Sequence, residues 1–321
     1  MRLVGIEIGG TKLQIGVGDE NGGLYLLKRG KVERWWQSSE ILDWVIKTTK
    51  EILSSLDPLE KPSAIGIGFG GPVDSNKGSV LTSHQIAGWQ GYPLKRRFEE
   101  EFSLPVIVAN DANSSGWAEY VCGAGKGTRN FFYMNIGSGI GGALVIDGKL
   151  YDGQGYGAGE IGHTYVPDWT RNELGAFDKL ENICSGWNIE KRLKTEGYVP
   201  KDSLMYKKGG GYPESFTCKL LAECAREGDS FAVAELDRVS KSLSIAISNV
   251  ITLFNPEKIA LGGGVSLMGD VLIERIKEKV DEIVFGPFKN KYEILPCALG
   301  EQVVLVGAIL LASDLVKDGQ K

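Results

Sequence analysis

Apolar residues recur along this chain in short blocks, and most blocks end on glycine or on an Asn-Asp pair. Leu3–Ile8, Leu13–Gly18 and Gly23–Gly30 have the length and composition of strands joined by short turns. The spacing of Ile41, Leu42, Val45, Ile46, Ile52 and Leu53 predicts a helix, with Ser38 or Ser39 placed to cap it. Ala64–Phe69 reads as the next strand, Leu94–Phe102 as a short charged helix, and Val106–Ala109, introduced by Pro105, as a buried strand. Asn113–Cys122 reads as a helix, and Asn130–Ile136 and Gly141–Ile146 as a strand pair followed by an Asp147-Gly148 turn. Further on, the pattern predicts helices over Leu174–Cys184, Gly186–Thr195, Ala232–Phe254, Leu267–Val284 and Gln302–Val316. Glu257–Leu261 and Tyr292–Leu295 read as strands, and Tyr198–Tyr212 as an exposed loop. Strands alternating with helices imply an α/β fold with a partly parallel sheet, whose ligands lie beyond the carboxyl ends of the strands.

Three glycine clusters stand out against that pattern. Gly9-Gly10-Thr11-Lys12 follows the first strand, Gly137-Ser138-Gly139-Ile140-Gly141-Gly142 follows Phe131–Ile136, and Gly262-Gly263-Gly264 follows Lys258–Leu261. Between the first two, the strand Val106–Ala109 runs into Asn110-Asp111. Glycine lets a backbone approach phosphate closely, and successive N–H groups in a tight turn form an anion-binding concavity. Two such turns with one carboxylate suit the transfer of a phosphoryl group to a nucleophile that needs a base.

Composition narrows the class. A length of 321 residues suffices for two domains, and an apolar share of 42% with 24% charged residues is ordinary for a globular protein. No apolar stretch reaches the roughly 18 residues that span a bilayer, and Met1–Gly5 runs straight into a strand pattern rather than a signal peptide. The 36 basic residues against 41 acidic ones give a net charge of −5, which argues against nucleic acid as a partner. Cys122, Cys184, Cys218, Cys224 and Cys297 show no metal-knuckle or CxxC spacing, as expected of reduced thiols in a cytoplasm.

Taken in order, Ile8-Gly9-Gly10-Thr11-Lys12, Gly70-Gly71-Pro72-Val73-Asp74, Asn110-Asp111-Ala112-Asn113, Ile136–Gly142, Ala158–His163 and Leu261–Val265 resemble the motifs of the ROK family of sugar kinases. The resemblance implies an α/β, two-domain actin/hexokinase-like (ribonuclease H-like) fold with the active-site cleft between the domains. It assigns residues 1–110 plus 304–321 to a smaller domain and 111–303 to a larger one. It implies transfer of the γ-phosphate of ATP, with Mg²⁺, to a hexose, glucose first, in a cytoplasmic homodimer. By the same resemblance Gly9, Gly10, Thr11 and Lys12, with Gly137, Ser138, Gly139 and Gly141, are similar to the two phosphate turns. Gly262, Gly263 and Gly264 are similar to the adenosine-contacting turn. Asp111 looks like the general base, and Gly71, Gln85, Asn110, Glu160, His163 and Glu181 look like the residues around the sugar.

Each residue also has a plainer reading. On spacing alone, Asp111 is as well placed to cap a helix as to take a proton. His163 could be solvated, Glu181 could lie on a solvated helix face, and Lys12 could simply be exposed. Glu7, inside Ile6-Glu7-Ile8, sits in a strand too apolar to bury a carboxylate without a purpose. Relatives more often carry Asp there, and the expectation is a carboxylate associated with Mg²⁺.

Two departures from the family pattern matter. Thr164–Lys179 holds no cysteine, so His163 cannot complete the structural zinc site that many relatives have, and no zinc is expected. Packing of Trp169, Leu174 and Phe177 is expected to hold that loop instead. Gln85 stands where relatives often have Asn, which leaves the sugar open: fructose, an N-acetylhexosamine or another hexose are the alternatives. A sugar-responsive repressor would carry a helix-turn-helix ahead of the first glycine motif, and here eight residues precede Gly9. A sensor without catalysis would not be expected to keep Asp111 and both phosphate turns.

Overall fold

The computed structural model describes residues 1–83, 86–171 and 173–319. The first part of the chain forms β1 (Arg2–Ile8), β2 (Lys12–Asp19), β3 (Leu24–Lys31), α1 (Ser38–Ser55), β4 (Ile65–Phe69), β5 (Val73–Asp74), β6 (Ser79–Val80) and α2 (Leu94–Phe102). Then come β7 (Val106–Asn110), α3 (Asp111–Cys122), β8 (Phe131–Ile136), β9 (Ile140–Ile146), β10 (Lys149–Tyr151), β11 (Tyr165–Pro167) and β12 (Phe177–Lys179). Short helices α4 (Leu180–Cys184), α5 (Gly186–Leu193), α6 (Leu204–Lys208) and α7 (Cys218–Arg226) precede the long α8 (Ser230–Phe254). β13 (Lys258–Gly262), α9 (Asp270–Ile283), β14 (Glu293–Pro296) and α10 (Val303–Asp318) complete the chain.

The chain divides into two compact units. The first comprises Met1–Gly127, Ala143–Ala158 and Ala298–Lys321, and the second Thr128–Gly142 and Gly159–Cys297. In the first unit the sheet order is β3-β2-β1-β4-β7. β1, β4 and β7 run parallel, with Ile8 opposite Phe69 and Phe69 opposite Asn110, so three strands end on one row. Period-two alternation gives the sheet two different faces. Ile65, Ile67 and Phe69 join Ile6, Ile8, Ile41 and Val45 in one core, whereas Gly66 and Gly68 leave room for a helix. A Cβ on Gly66 would stand 1.8 Å from the carbonyl oxygen of Ala308, so α10 rests on this face only because glycine is there. Glu7 lies on the glycine face, opposite Gly68.

In the second unit β8, β13 and β14 run parallel, with Gly262 opposite Asn135. The full sheet order is β10-β9-β8-β13-β14. Leu243, Ile247 and Ile251 of α8 and Ile259 and Ala260 of β13 are fully buried. Ser244 of α8 donates to the carbonyl of Ser240 at 2.7 Å, with the Ile276 carbonyl 3.2 Å away, satisfying a buried hydroxyl where α8 meets α9.

The expected elements recur with some shifted limits. α1 is capped by Gln37, whose N–H is accepted by Glu40 at 2.9 Å, not by Ser38 or Ser39. α3 begins at Asp111, because Asn110 serves as its cap. The helix expected over Leu174–Cys184 shrinks to Leu180–Cys184: Phe177–Lys179 instead pairs with Tyr165–Pro167 as a strand. The loop expected over Tyr198–Tyr212 contains α6, capped by Ser203 and anchored by fully buried Met205. The helix expected from Leu267 starts at Asp270, since Gly269 (φ 68°) breaks it from a preceding 3-10 turn. Among the described residues, no helix is long and apolar enough to cross a membrane.

Candidate active site

The candidate residues fall into two groups, one in each unit. In the first, the row formed by Ile8, Phe69 and Asn110 delivers Gly9, Gly70 and Asp111 to the carboxyl edge of three adjacent parallel strands. Gly70 N–H donates to the Ile8 carbonyl at 2.8 Å, and Gly9 N–H to the Lys12 carbonyl at 3.0 Å. A methyl group on Gly70 would lie 3.4 Å from Gly9 Cα and 3.8 Å from Asp111 Oδ2, so the glycine turn and the carboxylate are neighbours. Gly10 is half-buried and Thr11 exposed, its carbonyl accepting from Val32 N–H. Gly71 follows Gly70 at the same edge. Gln85, assigned to the sugar side by resemblance, lies outside the described residues.

Asn110 and Asp111 divide the work at the start of α3. Asn110 Oδ1 accepts the N–H of Asn113 at 2.8 Å and is the helix cap. That leaves its Nδ2 as the group to offer a ligand oxygen. Asp111, in the first helical turn where the helix dipole favours a negative charge, accepts Ala112 N–H through Oδ1 at 2.8 Å. The capping role weighed for Asp111 therefore belongs to its neighbour.

Beside them, Glu7 is 6% exposed. Its Oε1 pairs with Lys12 Nζ at 3.1 Å, and its Oε2 accepts from Gln14 Nε2 at 2.8 Å. Lys12 Nζ and Gln14 Nε2 also both donate to the carbonyl of Glu301, each at 3.0 Å. Burial raises the Glu7 pKa; Lys12 and Gln14 pull it down, and the nearby Asp111 charge adds to the rise. Gln14, fully buried and paired with Glu7 across β1 and β2, escaped the sequence reading. Its only signal was an amide between Leu13 and Ile15.

In the second unit, the turns after β8 and β13 stand side by side. Val265 N–H donates to the Ile136 carbonyl at 2.9 Å, and Gly186 N–H to the Gly137 carbonyl at 2.7 Å. Gly263 (φ 83°) presses so close that a Cβ there would lie 2.5 Å from the Ile136 carbonyl. Gly262 is buried, while Ser138 and Gly264 are exposed and Gly137, Gly139 and Gly141 half-buried.

Glu160, His163 and Glu181 gather at this same turn. A Cβ on Gly162 would stand 2.1 Å from the Ile140 carbonyl, which seats the segment between Glu160 and His163 directly on β9. Glu181, in the first turn of α4, accepts Ile140 N–H through Oε2 at 2.8 Å. Glu160 is exposed, yet partial desolvation raises its pKa; His163 lowers it and Glu181 raises it further. His163 Nδ1 takes a hydrogen bond from Lys179 Nζ at 3.3 Å, which places the proton of a neutral ring on Nε2. Lys179 was not a candidate, and nothing in its sequence position marked it.

The loop after His163 is held differently from expectation. Trp169, Leu174 and Phe177 are 39%, 104% and 60% exposed, so they do not pack it. Buried Asp168 accepts from Thr170 N–H and Oγ1 and pairs with Arg171 Nε at 2.9 Å. Arg171 Nη2 also reaches Asp178 at 2.6 Å, and Asp168 N–H donates to the Ala176 carbonyl at 2.8 Å. Among the described residues, no group of three or more His, Cys, Asp or Glu is placed to hold a metal ion.

Glycine turns and a helix-borne carboxylate at the ends of parallel strands, in a two-unit α/β chain, define an actin-like ATPase fold. Within that class the ROK family model matches residues 3–315, and the chain belongs to the ROK family. It is 32% identical to the glucokinase of Thermotoga maritima over 98% of each chain. It is 33% identical to the glucokinase of Halalkalibacterium halodurans over 95% of this chain and 92% of the relative. Among solved structures, a ROK family glucokinase from Streptomyces griseus in complex with glucose and AMPPNP superposes with a TM-score of 0.80. That structure is 30% identical and covers 98% of this chain and 100% of its own.

Proposed function

We propose that this protein is an ATP-dependent hexose kinase that transfers the γ-phosphate of ATP to a sugar hydroxyl, with glucose the first substrate to consider. The observation that carries the reading is the row Ile8–Phe69–Asn110, which sets a glycine turn beside Asp111. The glucokinases of about one-third identity, and a similar structure that holds glucose with an ATP analogue, support the substrate pair.

In this reading Asp111 takes the proton from the attacking hydroxyl, a poor nucleophile until it is deprotonated. Asn110 Nδ2, Glu160, His163 Nε2–H and Glu181 hold the other hydroxyls, fixing the sugar's angle to the phosphate. The backbone N–H groups of Gly9–Lys12 and Gly137–Gly141 receive the phosphates, and Gly262–Gly264 faces the adenosine. Lys12, already drawn to Glu7, adds a positive charge where negative charge builds up in transfer.

A divalent metal such as Mg²⁺ fits this arrangement as an ion that arrives with ATP. Both Glu7 oxygens accept one hydrogen bond each and keep a second lone pair, so Glu7 suits a metal-bound water better than the metal itself. Bound there, the ion would neutralise phosphate charge. The five free cysteines support a reducing cytoplasm, and the family resemblance supports a homodimer. A coupled ADP-release assay across hexoses and N-acetylhexosamines tests the proposal: glucose should stimulate release most, and a panel in which no sugar stimulates it would end the kinase reading.

A further inference from the structure

Residues 153–159 contain four glycines with positive φ: Gly153 (58°), Gly155 (93°), Gly157 (91°) and Gly159 (83°). Such a stretch has little conformational preference of its own, so something outside it must decide its course. The chain then runs directly into Glu160. Its upstream end is gripped at several points by residues of the first unit. Asp152 Oδ2 accepts from Ser75 Oγ, and Asp152 Oδ1 accepts from Asn113 Nδ2 at 3.3 Å. Ser75 N–H donates to the Gly155 carbonyl at 2.8 Å, and the Ser75 hydroxyl, whose one proton goes to Asp152, lies 3.1 Å from the same oxygen. Asn76 Nδ2 donates to the Gln154 carbonyl at 3.2 Å.

The receiving turn is itself pinned by a buried carboxylate. Buried Asp74 accepts Lys77 N–H at 3.0 Å, closing the β5–β6 turn that carries Ser75 and Asn76. A Cβ on Gly155 would lie 2.0 Å from Asn76 Nδ2, so a side chain there would have to displace that amide, and φ 93° itself favours glycine. Asn113 is 4% exposed and sits in the first turn of α3, the helix that begins with Asp111. Its amide orientation is determined, because a carboxylate can only accept and Nδ2 must therefore face Asp152. Asn113 Oδ1 consequently has no hydrogen-bond donor. A polar side chain buried at this cost, joined to a carboxylate at the root of a glycine strap, is placed to restrain the strap.

We infer that Asp152 is a positioning residue for the sugar: through Ser75 and Asn113 it clasps the root of the glycine strap that leads to Glu160, tying the strap to the helix that carries Asp111. The inference rests on the proposal that Glu160 and His163 hold the sugar. It assigns Asp152 an effect on sugar KM, with little on the transfer step or on ATP.

Removing the clasp and rebuilding it with its roles reversed provides the test. Asp152→Ala should raise the sugar KM about tenfold while kcat and the KM for ATP change less than about threefold. Amide hydrogens of residues 153–159 should exchange faster. Asn113→Asp alone sets two carboxylates face to face, so the pair holds only while it shares a proton, and the sugar KM should climb as pH rises. The double variant Asn113→Asp, Asp152→Asn restores one donor and one acceptor and should return KM and exchange close to the original values. Should Asp152→Ala not fold, the pH-dependent single variant and its rescue carry the test. Unchanged exchange in 153–159 together with an unchanged sugar KM, or a double variant no better than the singles, overturns the clasp. A wild-type protein that phosphorylates no sugar would defeat the kinase reading instead, and the exchange measurement would still decide the clasp.

Discussion

Glu181 Oε2 accepts the N–H of Ile140 at 2.8 Å, joining a side chain expected at the sugar to the backbone of a turn expected at the phosphates. The fit is close, since a Cβ on Gly139 would lie 2.5 Å from the same oxygen. Truncating one partner of such a bond leaves the other unsatisfied, at a cost of about 1–3 kcal/mol. Glu181→Ala should therefore raise KM for both ATP and sugar, whereas Glu181→Gln, whose amide oxygen still accepts, should mainly weaken the sugar. Steady-state kinetics with each substrate varied in turn check this. A Glu181→Ala variant with unaltered ATP KM would separate the turn from the side chain.

Glu160 supplies a pH signature. Its folded-state pKa is raised, first by desolvation and then by Glu181, against the opposing pull of His163. The folded state thus holds the proton more tightly than the unfolded chain, and stability falls as pH rises through the folded-state value. Glu160→Gln removes that penalty. Its Tm should exceed the wild-type value at neutral pH, and the difference should fade below about pH 4, where both states of the wild type are protonated. A lower Tm at neutral pH with no pH trend would show that Glu160 carries favourable contacts in the ligand-free protein. The same substitution should weaken the sugar, as expected of a site that gives up stability for function.

The strands and their glycine turns were legible because both signals are local. Apolar runs mark Arg2–Ile8, Ile65–Phe69 and Phe131–Ile136, and a glycine cluster after a strand marks a turn at its end. The juxtaposition of Gly9, Gly70 and Asp111 followed once the strands were parallel. Contacts made by chemically ordinary residues far apart in sequence were not legible. Lys179 on His163, Gln14 on Glu7 and Asp152 on Asn113 carry no pattern until the fold brings them together. The segment Leu174–Lys179 misled for a related reason. Its apolar residues matched helical spacing, but pairing with Tyr165–Pro167 and the Arg171–Asp178 ion pair decide its conformation.

That ion pair bears on metal content. The loop following His163 is tied by Asp168, Arg171 and Asp178. Arg171→Ala would leave buried Asp168 without its counter-charge and should loosen the contacts of Asp168 and Asp178, lowering Tm by a few degrees for a loss of about 1 kcal/mol. The purified wild type should contain no stoichiometric zinc, and a chelator should leave its Tm unchanged while abolishing Mg²⁺-dependent activity. Elemental analysis that finds one tightly held zinc per chain would contradict this account of the loop.

Asp111→Asn tests the central claim most directly. The amide keeps the shape of the side chain and an oxygen for Ala112 N–H, but it cannot take a proton. With glucose and MgATP saturating, kcat for sugar-dependent ADP release should fall about 10²–10⁴-fold, while glucose affinity measured by calorimetry stays within about tenfold. A variant that binds glucose and turns over at near wild-type kcat would show that Asp111 only begins a helix, and that the base lies elsewhere.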